Sequence, residues 1–430
     1  MASLTDNLAA LHEPEFRKLF LGQATSIAGT MLTIVALPFA VLAVGGSATD
    51  IGLVEAAYIL PMALMITVGG VWADRLERRK VMLAADLLRM ALQLTTAGLL
   101  LADVATVWML LVMQIGMGLG DAFFRPAYTG LVPQVVSSSR LQQANALQGL
   151  VQSGSVTLGA ATGGLLVAAL GAGWAIGIDG GTFAVSAWFL WRLRPAPVGV
   201  TDAGSAAADG GPAIDAAPAA SGFLADLRLG WREFISHTWL WVMVAGASVF
   251  LFAVEAPLTV LGPIVTRDFY NGARTWGFLA AAMGLGSVTG GVVALRWRPR
   301  RPFLILASGM SLSALPMAML ATTAPTLALF VSAAILGVVW GMFDPFWLTA
   351  MQREVPPDMI SRVSSYDYLG SLAFYPVGLA VAGPLADLIG VSATLWVGAG
   401  FAIAVSLFML SWRDVRALHK LGPPTGEPAG

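Results

Sequence analysis

GGVWADRLERRK, Gly69 to Lys80, returns as GGVVALRWRPRR, Gly290 to Arg301, after a shift of about half the chain. A second pair agrees within two residues of that shift: FFRPAYTGLVPQVV, Phe123 to Val136, matches MFDPFWLTAMQREV, Met342 to Val355. Gly159 and Gly164, set against Gly378 and Gly383, keep the offset of the second pair. The chain is therefore a tandem duplication. Both copies lie in strongly apolar surroundings, so they read as two equivalent membrane halves rather than a solenoid, and such halves usually hold a substrate between them.

Composition agrees. With 57% hydrophobic and 11% charged residues and a mean hydropathy of +0.76, the chain cannot cover itself with a water-compatible surface. It has no cysteine, hence no disulfide and no thiolate chemistry. His12, His237 and His419 fall outside the apolar runs and form no HExxH pattern, so no metal site is expected. None of Lys18, Lys80 and Lys420 follows a glycine, which leaves no phosphate-cradling P-loop. No cofactor is expected, and energy must come from a gradient or a partner. The first apolar run is too long for a cleaved signal peptide and is expected to remain in the mature protein.

Runs of roughly 20 apolar residues give six spans per half, an all-α membrane protein of twelve transmembrane helices. Residues 1–193 read as the first six-helix half, 194–221 as a flexible linker rich in Pro, Gly, Ala and Asp, 222–412 as a lead-in helix plus the second half, and 413–430 as a tail. Arg and Lys cluster in alternate loops, with only Arg267 and Arg274 on the other side. Short loops rich in these residues stay cytoplasmic, which places both termini there. Leu224, Leu227, Trp231, Phe234 and Ile235, at three- and four-residue spacing, predict an amphipathic helix on the inner leaflet. It reads either as a docking element or as a simple lead-in to span seven.

Gly70, Asp74, Arg75, Arg78 and Arg79, between spans two and three, resemble the major facilitator superfamily signature G-x-x-x-D-[RK]-x-G-[RK]-[RK]. The openings LFLGQATSIAGTMLTIVALPFAVLAV and DAFFRPAYTGLVP look like the bacterial group of enterobactin-type siderophore exporters and macrolide or multidrug efflux proteins. The resemblance implies a secondary transporter with two pseudo-symmetric halves around a central cavity. It also implies export of an amphipathic organic compound by alternating access, in exchange for protons, with no bond made or broken. The expected partners are the substrate, protons and the bilayer, with no nucleic acid, and a monomer is expected. The alternative is a transporter-like scaffold or sensor.

There are departures. Glu77 stands where the signature has glycine, Leu295 replaces the acidic residue in the second copy, Gln114 sits where many proton-coupled relatives carry arginine, and Gly159 to Gly164 reads GAATGG rather than GPxxGG.

Four groups of side chains are candidates for function. Asp74, Arg75 and Arg78 could latch the halves through a helix N-terminus, or merely mark a membrane boundary. Asp121 and Arg125 share a face of span four at i,i+4 spacing, while Arg125 and Asp344 are equivalent positions of the repeat with opposite charge. Arg125 could neutralise Asp121 or meet Asp344 across the inner mouth. Glu255 has no opposite charge within helical reach and, with Asp121, is a candidate proton or substrate site. Glu55 and Asp179 lie near the outer boundary, where exposure to water is expected. Phe123, Phe124, Phe250, Trp340 and Phe343 could wall the cavity, or pack in the core or against lipid.

Overall fold

The computed structural model describes residues 9–194, 223–297, 299–356 and 359–417. The expected linker and most of the tail lie outside these residues, as do the side chains of Asp74, Leu224, Leu227 and Leu295. The first half consists of α1 (Pro14–Ala43), α2 (Ala48–Arg75), α3 (Arg78–Leu101), α4 (Val107–Leu131), α5 (Leu141–Leu170) and α6 (Ala172–Arg192). The second consists of α7 (Thr238–Phe269), α8 (Ala273–Arg296), α9 (Pro302–Ala321), α10 (Thr326–Glu354), α11 (in two segments, Ile360–Leu372 and Tyr375–Ile389) and α12 (Val391–Ser411). Eleven of these are long and apolar enough to cross a membrane. The twelfth, α6, is diluted by four glycines and Asp179, yet its 21 residues rise about 31 Å, enough to span.

The duplication recurs in the packing. Gly69 of α2 lies against the Ala122 carbonyl of α4, and Gly290 of α8 lies against the Val338 carbonyl of α10. A Cβ at either glycine would collide with that carbonyl, so the repeated sequence sets the same helix approach in each half.

Three spans of the second half are irregular, each beside a proline. Pro257 cannot donate to the Ala253 carbonyl, and the turn before it, Leu251–Glu255, opens into a π turn. In α9 a 3₁₀ turn, Ser311–Ser313, precedes Pro316. In α11 the helix breaks at Ala373 and Phe374, ahead of Pro376.

Helix direction alternates, gathering the chain ends at one end of the bundle, called here the terminal end. There Glu13 holds Ser137 and Arg140, Glu15 accepts from the Arg194 amide, and Trp241 packs on Trp412. At the opposite end Tyr270 donates to the Ala324 carbonyl and Ser392 to the Ala321 carbonyl. The halves meet tightly toward this opposite end and, between α5 and α8, at mid-span, where Gly284 lies against Thr157. Gly52 of α2 abuts the Leu379 carbonyl of α11, and Gly164 of α5 packs on Gly277 of α8. The second segment of α11, Tyr375–Ile389, packs along α2, whereas its first segment, Ile360–Leu372, packs on α7 and on a surface helix, Phe223–Ser236. Along α2 and α11 the close contact between the halves thus lies toward the opposite end.

Candidate functional site

The Gly52–Leu379 contact and the residues just on its terminal side form a cluster at the seam of α2, α7 and α11. Glu255 is the last residue of the π turn in α7, about one turn on the terminal side of Val260, which packs at Gly52. Glu55 of α2 and Tyr375 of α11 lie about one turn on the same side of the Gly52–Leu379 contact. The Tyr375 hydroxyl is 3.4 Å from Thr259 Oγ1 and within electrostatic range of both carboxylates. Among the described residues neither Glu55 nor Glu255 has a hydrogen-bond or ion-pair partner, and both are half-buried. Glu55 therefore belongs to the seam of α2, α7 and α11 rather than to an outer water-facing rim. A carboxyl without a counter-charge in such surroundings is least costly when it carries a proton or meets a cation.

Asp121 sits in a different environment. Arg89 of α3 pairs with Asp86 and with Asp121, the Tyr58 hydroxyl donates to Asp121 Oδ2, and Arg125 reaches the same carboxylate at 3.4 Å. The Arg89 guanidinium lies over the rings of Phe124 and Phe183, with centroids at 4.1 and 4.5 Å. The two acids and two bases balance. A carboxylate held by two guanidiniums and a phenol is poorly suited to give up and regain a proton. Asp86 and Arg89 escaped the sequence reading, although an acid and a base three residues apart inside a continuous 24-residue helix are the intramembrane charge signal that flagged Asp121.

Asp179 also corrects the expectation. It is fully buried, accepting from Thr33 at 2.7 Å, Gln93 at 2.6 Å and Thr182 at 3.2 Å. It ties α1, α3 and α6 together instead of facing water.

At the mouth, Arg125 is half-exposed and bound to Asp121, while Tyr368 of α11 lies within electrostatic range of it. Asp344 is exposed and has no ion-pair partner among the described residues. In the signature loop, Glu77 has φ −63° and ψ 111°, so the turn forms without positive φ. Its carboxyl, hydrogen-bonded by Lys80 and Arg79, has a lowered pKa and stays charged. Arg78 donates to the Gly130 carbonyl at the end of α4, and Arg79 to the Trp191 and Leu193 carbonyls at the end of α6. Cations at helix C-termini complement the macrodipole. In this conformation both bind their own half.

The aromatic candidates divide. Phe124 and Phe250, 5% and 1% exposed, are core residues of their halves and do not wall a cavity. Phe123 meets Trp72 edge-on in a groove formed with α3, away from the seam. Trp340 and Phe343 are half-buried in an aromatic row with Phe250 and Trp347, and the Trp340 indole N–H has no protein partner.

The sequence pattern of the Major Facilitator Superfamily matches residues 19–371. The chain belongs to this superfamily. It is thus a multi-pass membrane transporter and not an enzyme. The superfamily chain is 30% identical to the multidrug efflux pump Tap of Mycolicibacterium fortuitum, over 90% of this chain and 91% of that one. It is 23% identical to macrolide efflux protein A of Streptococcus pyogenes (94% and 97% covered) and 27% identical to the enterobactin exporter EntS of Salmonella paratyphi A (97% of each). A bacterial homolog of the human lysosomal transporter Spinster shares the superfamily fold, with a TM-score of 0.67 at 17% identity over 96% of this chain and 99% of that one.

Proposed function

We propose that this transporter exports an amphipathic organic compound across the cytoplasmic membrane by alternating access, in exchange for protons. The observation that carries the reading is the pair of carboxyls, Glu255 and Glu55, that have no counter-charge among the described residues and lie just on the terminal side of the Gly52–Leu379 contact between the halves. The names of the similar efflux proteins support export and a drug- or siderophore-like substrate. The terminal end, where Arg and Lys cluster in the loops, is cytoplasmic. Glu255, with Glu55 opposite, meets a proton or a cationic substrate group.

Orientation can be tested in the cysteine-free background. An impermeant thiol reagent added to intact cells should label Asn271→Cys, which is exposed at the opposite end, and spare Ser139→Cys, which is exposed at the terminal end. Equal labelling would break the topology.

Function is tested by expression in a drug-sensitive host. At least one amphipathic compound of a toxic panel should be tolerated at concentrations raised several-fold, with reduced accumulation in the cells. No change across macrolide, tetracycline, dye and siderophore probes would count against export. In the same assay Arg125→Asp and Asp344→Arg should each impair tolerance and the double exchange should recover part of it, because the two charges meet when the mouth closes. A double variant no better than the worse single one, with Asp121→Asn mimicking Arg125→Ala, would leave Arg125 only its local partner.

A further inference from the structure

Asp179 follows the first residue of α6, Ala172, by about 10 Å of helix, which sets it inside the bundle below the opposite end. Its side chain is fully buried where α6 packs on α1 and α3. The hydrogens available to it can be assigned one by one. Oδ2 accepts from the Thr33 hydroxyl and from the Gln93 amide. Oδ1 faces Thr182 Oγ1 at 3.2 Å. That hydroxyl has a single hydrogen, and the Asp179 backbone carbonyl, 2.7 Å away, is its nearer acceptor. An ionised Asp179 would therefore set two oxygens against each other with no hydrogen between them.

The backbone of α1 closes over this pair. A Cβ at Gly29 would collide with Thr182 Oγ1 and lie 2.6 Å from Asp179 Oδ1. Charge gives a second, independent count. Arg89 of α3 is within electrostatic range of Asp179, but it pairs with Asp86 and Asp121. The ionisable side chains of α1, Glu15, Arg17 and Lys18, lie at the terminal end, as does Arg192 of α6, and α5 has none. Around Arg89, then, three carboxyls, Asp86, Asp121 and Asp179, meet two guanidiniums, Arg89 and Arg125. The charges cancel only if one carboxyl is un-ionised, and Asp179 is the one that no guanidinium pairs with. A proton on Oδ1 settles both counts. The O–H donates to Thr182 Oγ1, and Oδ2 becomes the carbonyl that accepts from Thr33 and Gln93.

We propose that Asp179 is a proton-binding site of the first half, an un-ionised acid that locks α1 to α3 and α6 in this conformation. It is separate from Glu255, which lies in the second half. A bare carboxylate here would be buried without a partner, so the proton leaves only when α1 parts from α3 and α6 and water or a cation reaches the site. Its use in transport rests on the export reading, but its occupancy does not.

Asp179→Asn tests this in the purified full chain, because asparagine copies the neutral acid: its carbonyl can accept from Thr33 and Gln93 while its amide donates to Thr182. The infrared difference between parent and variant at neutral pH should contain the carbonyl band of an un-ionised carboxylic acid. In Thr182→Val that band should move to the higher frequency of an acid whose O–H has no acceptor. The second measurement is reversible unfolding in mixed micelles against pH. Above about pH 4 an exposed Asp has lost its proton, so folding takes up one proton at this position in the parent and none in Asp179→Asn. Parental stability should therefore fall as pH rises. Its folded-to-unfolded ratio, relative to the variant, should drop about tenfold per pH unit until the folded state too gives up the proton. A difference spectrum with carboxylate bands alone, a parental band that Thr182→Val leaves in place, or parallel pH profiles would overturn the proposal. The band present in a parent that exports nothing would uphold the site and remove the export reading. Export with carboxylate bands alone would keep that reading and overturn the site.

Discussion

Replacing Glu255 by glutamine should leave an abundant, folded protein in which efflux driven by a pH gradient falls by at least about tenfold. That loss corresponds to roughly 1.4 kcal/mol of coupling free energy. The argument starts from position. Glu255 closes a π turn that Pro257 forces on α7, about one turn on the terminal side of the contact where Gly52 meets Leu379 and Val260. In the proposed alternating access, opening that seal would move α2 away from α7 and α11, and with it Glu55 away from Glu255 and Tyr375. The carboxyl would then change surroundings in the same step that changes access, as the proposed exchange of proton for substrate requires. Glutamine keeps the volume and most hydrogen bonding but cannot titrate. Binding of a neutral compound should persist within about threefold and lose its pH dependence. Efflux of a neutral compound that remains pH-driven in Glu255→Gln would remove this residue from the mechanism. Loss confined to cationic compounds would make it a specificity residue instead.

The second large effect is on folding. Arg89→Leu should cut the amount of stable protein severely, because it leaves Asp86 and Asp121 buried without the guanidinium between them. Removing one partner of a buried ion pair costs roughly 3–5 kcal/mol, against a total stability of about 5–15 kcal/mol for a typical domain. The loss includes the stacking of Arg89 on Phe124 and Phe183, worth up to about 2 kcal/mol when desolvated. Adding Asp86→Asn and Asp121→Asn should restore part of the thermal stability measured in detergent, since it removes the stranded charges. If Arg89→Leu melts with the parent, the network is dispensable and the burial argument fails.

Much of this protein is settled along the chain itself. An apolar run of about 20 residues in a bilayer has almost no choice but helix, because every backbone amide must find its partner locally. The duplicated GGVWADRLERRK and GGVVALRWRPRR then imply two like halves, and the glycines that begin them, Gly69 and Gly290, prove to set the same helix approach in each. Arg125 bound to Asp121 was also open to view as an i,i+4 pair. What only the tertiary structure decided is how side chains from distant spans meet. Asp179 looked like a boundary residue until Thr33 and Gln93, 146 and 86 positions away, enclosed it. Phe124 became core because Arg89 lies on its ring. Glu55 joined Glu255 because the α2–α7–α11 seam brings them to one level. The physical reason is one of range. Helix formation and span length follow from neighbours a few residues away, whereas the burial and pairing of a charge depend on packing between helices whose rotation about their axes no single span determines.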